Sequence, residues 1–410
     1  MANSFFTVSA ISKELVRLME NELVLGKAVG TDNLENETVK SGGSVKVRRQ
    51  MQYLGQDNNL DLSAFSEDIT EGTVTVQMDQ TWSNKVSISA LDRTLSFDRY
   101  SQQILQPMAR RAAEKIEASI AALYPAFYWF DGTPGTPPAT YAALADAGAI
   151  FTDGGNTVSG RMAFHSPAVS AKFAALIQGT YVDGNNKKAL EMAKVGRYAG
   201  FDNYETVFAP THTVGTLGGT PLVNGGAQAV TYATAKDTWS QSLITDGWTA
   251  AAANRLKAGD VFTIANVFAV NPNTKVSTGR LQTFTVLSDA ASDGSGNLTA
   301  TISPPIIISG AFQTVNAQPA DNAALTIKTG SSATAYRQSL LLDPMAIALV
   351  SRPLDIPSGE GLKTSTVPGE HVTMSVSSWV DGNTLAENMR FDMLWKPIVL
   401  DPRRGMRLTN

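Results

Sequence analysis

Histidine, the side chain best suited to acid–base work near neutrality, occurs three times in 410 residues, at His165, His212 and His371. The three are far apart in sequence and share no ligand spacing, so a zinc site or a histidine general base has no support and each reads as structural. The chain has no cysteine, which removes thiolate ligands and disulfides. Asp289 to Gly294 has the outline of a calcium loop, but Ala291 and Ala300 occupy the third and twelfth ligand positions, so it reads as a hairpin turn. Leu25-Gly26-Lys27-Ala28 lacks the upstream glycine and the hydroxyl residue of a phosphate loop. No catalytic constellation emerges, no cofactor or metal is expected, and the chain is not expected to be an enzyme. The distinctive chemistry is instead one of charge. Asp57, Asp61, Glu67, Asp68 and Glu71 gather with Phe65 in the polar stretch Gly55 to Gly72, and Arg93, Arg110 and Arg111 follow downstream. Carboxylates presented together can meet a basic patch on a second molecule; the alternative is a solvated acidic loop.

The flanking elements explain how such a stretch would be presented. Val45, Val47, Met51 and Tyr53 share one parity, as do Val74, Val76, Met78, Trp82, Val86 and Ile88, which is strand periodicity on either side of the polar tip. Two strands with an open tip bury little by themselves and leave edges that invite another chain, so the segment reads as a reaching arm. Before it, Ile11, Leu15, Leu18, Met19, Leu23 and Leu25 predict an amphipathic helix ending by Gly26, with Ser9 or Ser12 as cap. After it, Leu95, Phe97, Tyr100, Ile104, Met108, Ala112, Ile116, Ile120 and Leu123 step by threes and fours. From Thr94 to Tyr124 this is a rod of about 45 Å, kinked or restarted at Pro107.

Phe127 to Thr140 reads as a loop, and helices are predicted over Ser166 to Gln178 and Asn186 to Val195. The texture then changes. From Thr211 to about Ala333 there is no glutamate and only six basic and six acidic residues, with strand candidates at Val261 to Val270, Leu281 to Val286 and Leu298 to Ile302. Short strands at regular spacing suggest a small β-barrel. Because the earlier style returns at Leu340 to Val350, then Val372 to Trp379 and Phe391 to Val399, the barrel reads as an insertion. The terminal Arg403, Arg404 and Arg407 read as a solvated basic tail.

Composition is that of a folded protein, 43% hydrophobic and 17% charged, and the net charge of −4 argues against a protein that coats nucleic acid by neutralising phosphates. Without a transmembrane run or a signal-peptide pattern at Met1 to Ala10, the chain is expected to be made in the cytoplasm.

The order of helix, arm, rod, mixed domain, barrel and final strands resembles the major capsid proteins of tailed double-stranded DNA bacteriophages, and in particular the coat-protein branch of short-tailed Salmonella phages. The local matches are Gly200-Phe201-Asp202, Leu256-Lys257-Ala258-Gly259-Asp260 leading to Thr283-Phe284-Thr285-Val286, and Asp343-Pro344-Met345-Ala346 through Ser351-Arg352-Pro353-Leu354. The resemblance implies an α+β major capsid fold with a β-barrel insertion domain. Residues 1–40 would be the N-terminal arm, 41–90 the extended loop lying over a neighbouring subunit and 91–125 the spine helix of the peripheral domain. Residues 126–210 and 335–365 would form the axial domain, 211–334 the inserted barrel, and 366–410 the closing peripheral strands. It further implies pentamers and hexamers of an icosahedral shell in the virion, a precursor that expands on maturation, a scaffolding protein, a portal, and packaged DNA held without sequence specificity. The family's barrel carries a charged hairpin to the next capsomer; here Tyr232 to Trp248 holds only Lys236, Asp237 and Asp246. A rival reading is a carbohydrate-binding or adhesive β protein, in which some of Trp82, Trp129, Trp239, Trp248, Trp379 and Trp395 stack on sugars.

Overall fold

A computed structural model describes residues 8–30, 44–56, 63, 66–67, 69–88, 104–138, 140–178, 196–251, 253–356, 362–384 and 386–410. The chain divides into two compact units, the first made of 1–46, 75–121 and 347–398 and the second of 47–74, 122–346 and 399–410.

The first unit pairs helices with an antiparallel sheet. Helix α1 (Val8–Glu22) buries Ile11, Leu15 and Met19 of the predicted face together with Val16, while Leu18 is half-buried and Ser9 and Ser12, expected as caps, lie within the helix. Helix α2 (Gln106–Ala121) buries Met108, Ala112, Ile116 and Ile120, and its alanines let a neighbouring element come close. Pro107 lies in its first turn, where the missing N–H costs nothing. The predicted rod is therefore shorter at its C-terminal end: the α-helix stops at Ala121, and Tyr124–Ala126 form a separate 3-10 turn because Pro125 cannot continue the ladder. The sheet runs in the order Ile347–Arg352, Ala386–Val399, Thr373–Asp381, Lys363–Pro368, with Gln80–Ile88 also paired to Ala386–Val399. In register, Met393 faces Trp82 on one side and Met374 on the other. The arm's second run is broken at residues 78 and 79, between strands Thr73–Gln77 and Gln80–Ile88.

The second unit contains a mixed sheet and a barrel. The sheet order is Trp129–Asp131, Gly405–Thr409, Ala335–Leu342, Met162–His165, Phe201–Glu205, Arg197–Tyr198. Helix α3 (Tyr141–Asp153), capped by the Thr140 hydroxyl on the Ala143 N–H, and helix α4 (Pro167–Gln178) bring Leu144, Phe151 and Phe173 against Phe201, Leu341 and Met406. The stretch expected to be a loop, Phe127 to Thr140, contributes the edge strand Trp129–Asp131, paired parallel to the last strand of the chain. That last strand is buried at all five positions, so the terminal arginines are not a solvated tail; the expectation fails because a central strand buries whatever side chains it carries.

The barrel strands follow the order Leu325–Ile327, Val261–Val270, Ser277–Val286, Leu298–Ser303, Gln241–Trp248, Gly219–Val223. Leu222 bridges Ala324 and the Val223 N–H donates to Ala323 O, joining the two ends of that order. Phe262, Ile264, Phe284, Leu243, Ala300 and Ile302 fill the interior at 0% exposure, so the insertion has an apolar core of its own.

Within the mixed sheet His165 is 1% exposed. Its Nε2 lies 3.0 Å from Asn203 Oδ1, and since the Asn203 amide donates to the carbonyls of Gly196 and Phe201, Nε2 carries the proton and Nδ1 accepts from Ser339 Oγ. Burial pushes this imidazole down from 6.5 to about 4. The unfolded chain then protonates first as the pH falls, and the folded state loses stability between about pH 6.5 and 4, by about 3 kcal/mol. Urea unfolding at pH 7 and pH 4 should show that loss in the wild type and not in His165→Gln, once changes common to both proteins are subtracted.

Candidate assembly surface

Strands Ser44–Arg48 and Thr73–Gln77 pair as a two-stranded ribbon, the root of the predicted arm. Where the ribbon opens, the Arg49 N–H donates to Gly72 O at 2.8 Å. Beyond this point the described residues Tyr53, Leu54 and Ile69 are 58%, 51% and 71% exposed, an apolar surface that its own chain leaves in water.

Of the predicted acidic residues, Glu67 and Glu71 are described, and both are used within the root. Glu67 Oε1 accepts from the Leu54 N–H at 2.9 Å, and Glu71 lies 3.4 Å from Arg48. Asp57, Asp61, Phe65, Asp68 and Arg93 lie outside the described residues, as does the helix predicted over 186–195. Arg110 and Arg111 stand on α2, both facing Glu114 at 3.6 and 2.9 Å, and remain 70% and 59% exposed. Such exposed pairs hold their partners weakly and leave guanidinium surface available.

Three buried polar nodes were not anticipated. In the first unit, Glu117 is 2% exposed and its two oxygens accept the backbone N–H groups of Val24, Leu25 and Gly26, each at 2.9 Å. In the second unit, His212 Nε2 lies 2.8 Å from Asp260 Oδ1, and His212 Nδ1 lies 3.1 Å from the Tyr124 hydroxyl. Asp260 also accepts from Thr329 Oγ1 and from the backbone of Gly215 and Lys257. This tyrosine–histidine–aspartate chain has the order of a proton relay; with His212 and Asp260 at 1% and 0% exposure it forms a buried tie between the barrel and its flanking segment. The third node is the C-terminal run. Arg403 forms a two-point pair with Asp401 at 2.8 Å on each oxygen and lies 5.2 Å over the Trp239 ring. Burial tends to raise the Asp401 carboxyl, but Arg403 outweighs it and holds the group below the usual carboxylate range. Arg404 reaches Asp343 at 3.2 Å and Gln50 at 3.1 Å, and Arg407 is wholly buried. Sequence periodicity could not signal these pairings, although Asp260 stands in one of the segments that carry the resemblance.

A family model for the P22 coat protein, gene protein 5, matches residues 1–410. The chain belongs to the P22 coat protein family. It is similar to the major capsid protein of Acyrthosiphon pisum secondary endosymbiont phage 1, at 23% identity over 407 residues that span 94% of this chain and 93% of the relative. Among solved structures, a chain of Mycobacterium phage Che8 aligns at a TM-score of 0.43 and 11% identity, covering 94% of this chain and 90% of its own. The CUS-3 coat protein I-domain aligns at 31% identity and a TM-score of 0.20, covering 27% of this chain and 96% of its own. As a P22-family coat protein the chain is a bacteriophage capsid component with the α+β tailed-phage fold and its inserted barrel. Of the six tryptophans proposed as sugar platforms, Trp129, Trp239, Trp248 and Trp395 are at most 7% exposed and serve as core, while Trp82 and Trp379 are half-buried on paired strands of the first unit.

Proposed function

We propose that this coat protein assembles into the pentamers and hexamers of an icosahedral shell that encloses packaged double-stranded DNA, by way of a precursor that expands on maturation. The observation that carries the reading is the ribbon root with its exposed Tyr53, Leu54 and Ile69, on a chain matched by the coat-protein family over its full length. An arm on one subunit meeting a different surface on the next is a heterologous contact, which propagates into rings and curved sheets instead of closing as a dimer. Residues 1–40 would then be the N-terminal arm, 41–90 the extended loop, 91–125 with 366–410 the peripheral domain, 126–210 with 335–365 the axial domain and 211–334 the insertion. A scaffolding protein would guide assembly in the host cytoplasm and a portal would admit the DNA, which an acidic chain of net charge −4 would hold without coating it. Negative-stain microscopy and light scattering of the purified chain, alone and with a scaffolding protein, should show shells, rings or curved sheets. A strictly monodisperse monomer under both conditions would overturn the reading.

The acidic residues of the arm are proposed to face Arg93, Arg110 and Arg111 of a neighbour. Glu67→Lys with Glu71→Lys should slow assembly on the order of tenfold, since two exposed pairs contribute up to about 1 kcal/mol each. Adding Arg110→Glu and Arg111→Glu should restore the rate by light scattering. That rescue separates an intersubunit pair from damage to the root, because the partners of Glu67 and Glu71 within the chain, Leu54 and Arg48, are untouched by it.

A further inference from the structure

The root of the arm does not stand clear of its own subunit. The Thr73 N–H and hydroxyl both donate to Asp237 Oδ1, at 2.9 and 3.2 Å. One residue earlier, the arm backbone lies directly on the barrel: a Cβ on Gly72 would fall 2.4 Å from Lys236 O and 3.2 Å from the Tyr232 hydroxyl, so only glycine fits there. Lys236 and Asp237 follow the short helix α5 (Tyr232–Ala235). Behind it Tyr232 stacks on Phe312 with ring centroids 3.6 Å apart, and Trp239, Ile307 and Phe312 form a small buried cluster separate from the main barrel core. Beside this contact a groove of about 270 Å³ lies between Met51, Tyr53, Leu54 and Thr70 of the arm and Tyr232 and Phe312 of the barrel. The root is thus tied by hydrogen bonds at Thr73 and borders an open groove at Tyr53 and Leu54.

We propose that this face of the inserted barrel, residues 230–239 with 307–312, is a seat that sets the direction in which the arm leaves its subunit, with Asp237 as the positioning residue. The inference rests on the reading of residues 41–90 as an assembly arm. In this chain, one of the two carboxylates in the short charged set of the barrel, that of Asp237, is spent in cis, on the arm, and the small independent cluster under the seat gives it a rigid platform. The groove beside it leaves the root room to pivot about the Thr73–Asp237 bonds, so a change in those few bonds changes the angle of the arm while the folded barrel stays as it is. The bond from the Thr73 N–H does most to hold the Asp237 carboxyl below its ordinary range, in keeping with a charge-assisted bond.

The test uses the full-length chain and two variants, Asp237→Ala and Gly72→Ala, with Asp237→Asn as the conservative control. In the soluble monomer, amide exchange at Thr73 and proteolytic cutting within residues 47–56 should each rise on the order of tenfold in Asp237→Ala and by more in Gly72→Ala. Tryptophan-monitored unfolding of the barrel should stay at the wild-type midpoint. Asp237→Asn, whose side-chain oxygen can accept both bonds, should restore most of the protection. Co-expressed with a scaffolding protein, the two disruptive variants should give open or irregular sheets where the wild type gives regular particles. Wild-type exchange in both variants overturns the seat, and loosened exchange with unchanged particle geometry overturns its role in aiming the arm. If the wild type forms no particles, the assembly reading fails, while the exchange data still decide whether the seat exists.

Discussion

Replacing Arg407 by leucine is expected to destabilise the folded chain by about 3–5 kcal/mol, since several buried neutral acceptors lose their donor together, each worth about 1–3 kcal/mol when left unpaired. Arg407 is wholly buried. Its Nε donates to Phe127 O at 2.9 Å, Nη1 to Gly259 O at 2.7 Å and Nη2 to Thr285 Oγ1 at 3.0 Å, with Gln338 Oε1 at 3.4 Å. One guanidinium therefore joins the last strand of the mixed sheet, the segment before its edge strand and two strands' ends of the barrel. Gly259 can present its carbonyl inward because its φ is +99°, and a Cβ there would press on His212 and Tyr124 at 3.0 Å. Burial pushes the guanidinium down to about 10 in spite of Tyr124 and Asp260 nearby, so the charge is carried at a cost and the value of the residue lies in its fork of donors. Arg407→Met fills much of the volume, removes the charge and still leaves the carbonyls unpaired. It should cost nearly as much as leucine by urea unfolding at pH 7, whereas near-wild-type stability of the methionine variant would show that volume alone matters. Arg407→Lys keeps the charge but lacks the planar fork, and should fall between wild type and methionine.

Glu117→Ala should destabilise the first unit by about 3 kcal/mol and free the segment after α1, read as faster amide exchange at Val24, Leu25 and Gly26 than elsewhere in that unit. Three buried N–H groups lose their acceptor, each worth about 1–3 kcal/mol when left unpaired, although relaxation toward water recovers part of the sum. Burial raises the Glu117 pKa, and the three backbone bonds pull it back without cancelling the shift. The sign follows from linkage: with the folded value above the ordinary 4.5, the folded state binds the proton more tightly, and this group's contribution to stability falls as the pH rises from 4.5 through the folded value. That slope opposes the one from His165, and so each is measured as a difference between wild type and its own variant. Glu117→Gln keeps one acceptor but turns an amide NH2 toward a backbone donor, and should recover about half of the loss while abolishing the pH slope. If α1 and its following turn exchange as in the wild type after Glu117→Ala, the carboxylate is not what holds them.

Several elements were legible from spacing alone because periodicity records which face of an element is buried. Ile11, Leu15 and Met19 line the buried side of α1, and the strand Val261–Val270 has the bounds that its apolar run predicts. The change of composition after Thr211 marks an insertion that has its own core, because a domain with a private interior can differ in style from its host. The family resemblance was legible too, from the order of segments along the chain. What periodicity could not reach is the pairing of polar groups. An arginine destined for a central strand looks in sequence like one in a solvated tail, since the pattern takes charge to mean exposure; Arg407 is buried because Phe127, 280 residues away, and Gly259, 148 residues away, supply carbonyls that only the folded chain brings there. The same holds for Glu117 and the backbone 91 to 93 residues before it, and for Asp237 and Thr73, which are 164 residues apart. Sequence alone determined where elements such as α1 and the strand Val261–Val270 run and that a barrel of different composition is inserted; tertiary structure decided which charges are spent inside the subunit, because a hydrogen bond is set by the position of both its ends.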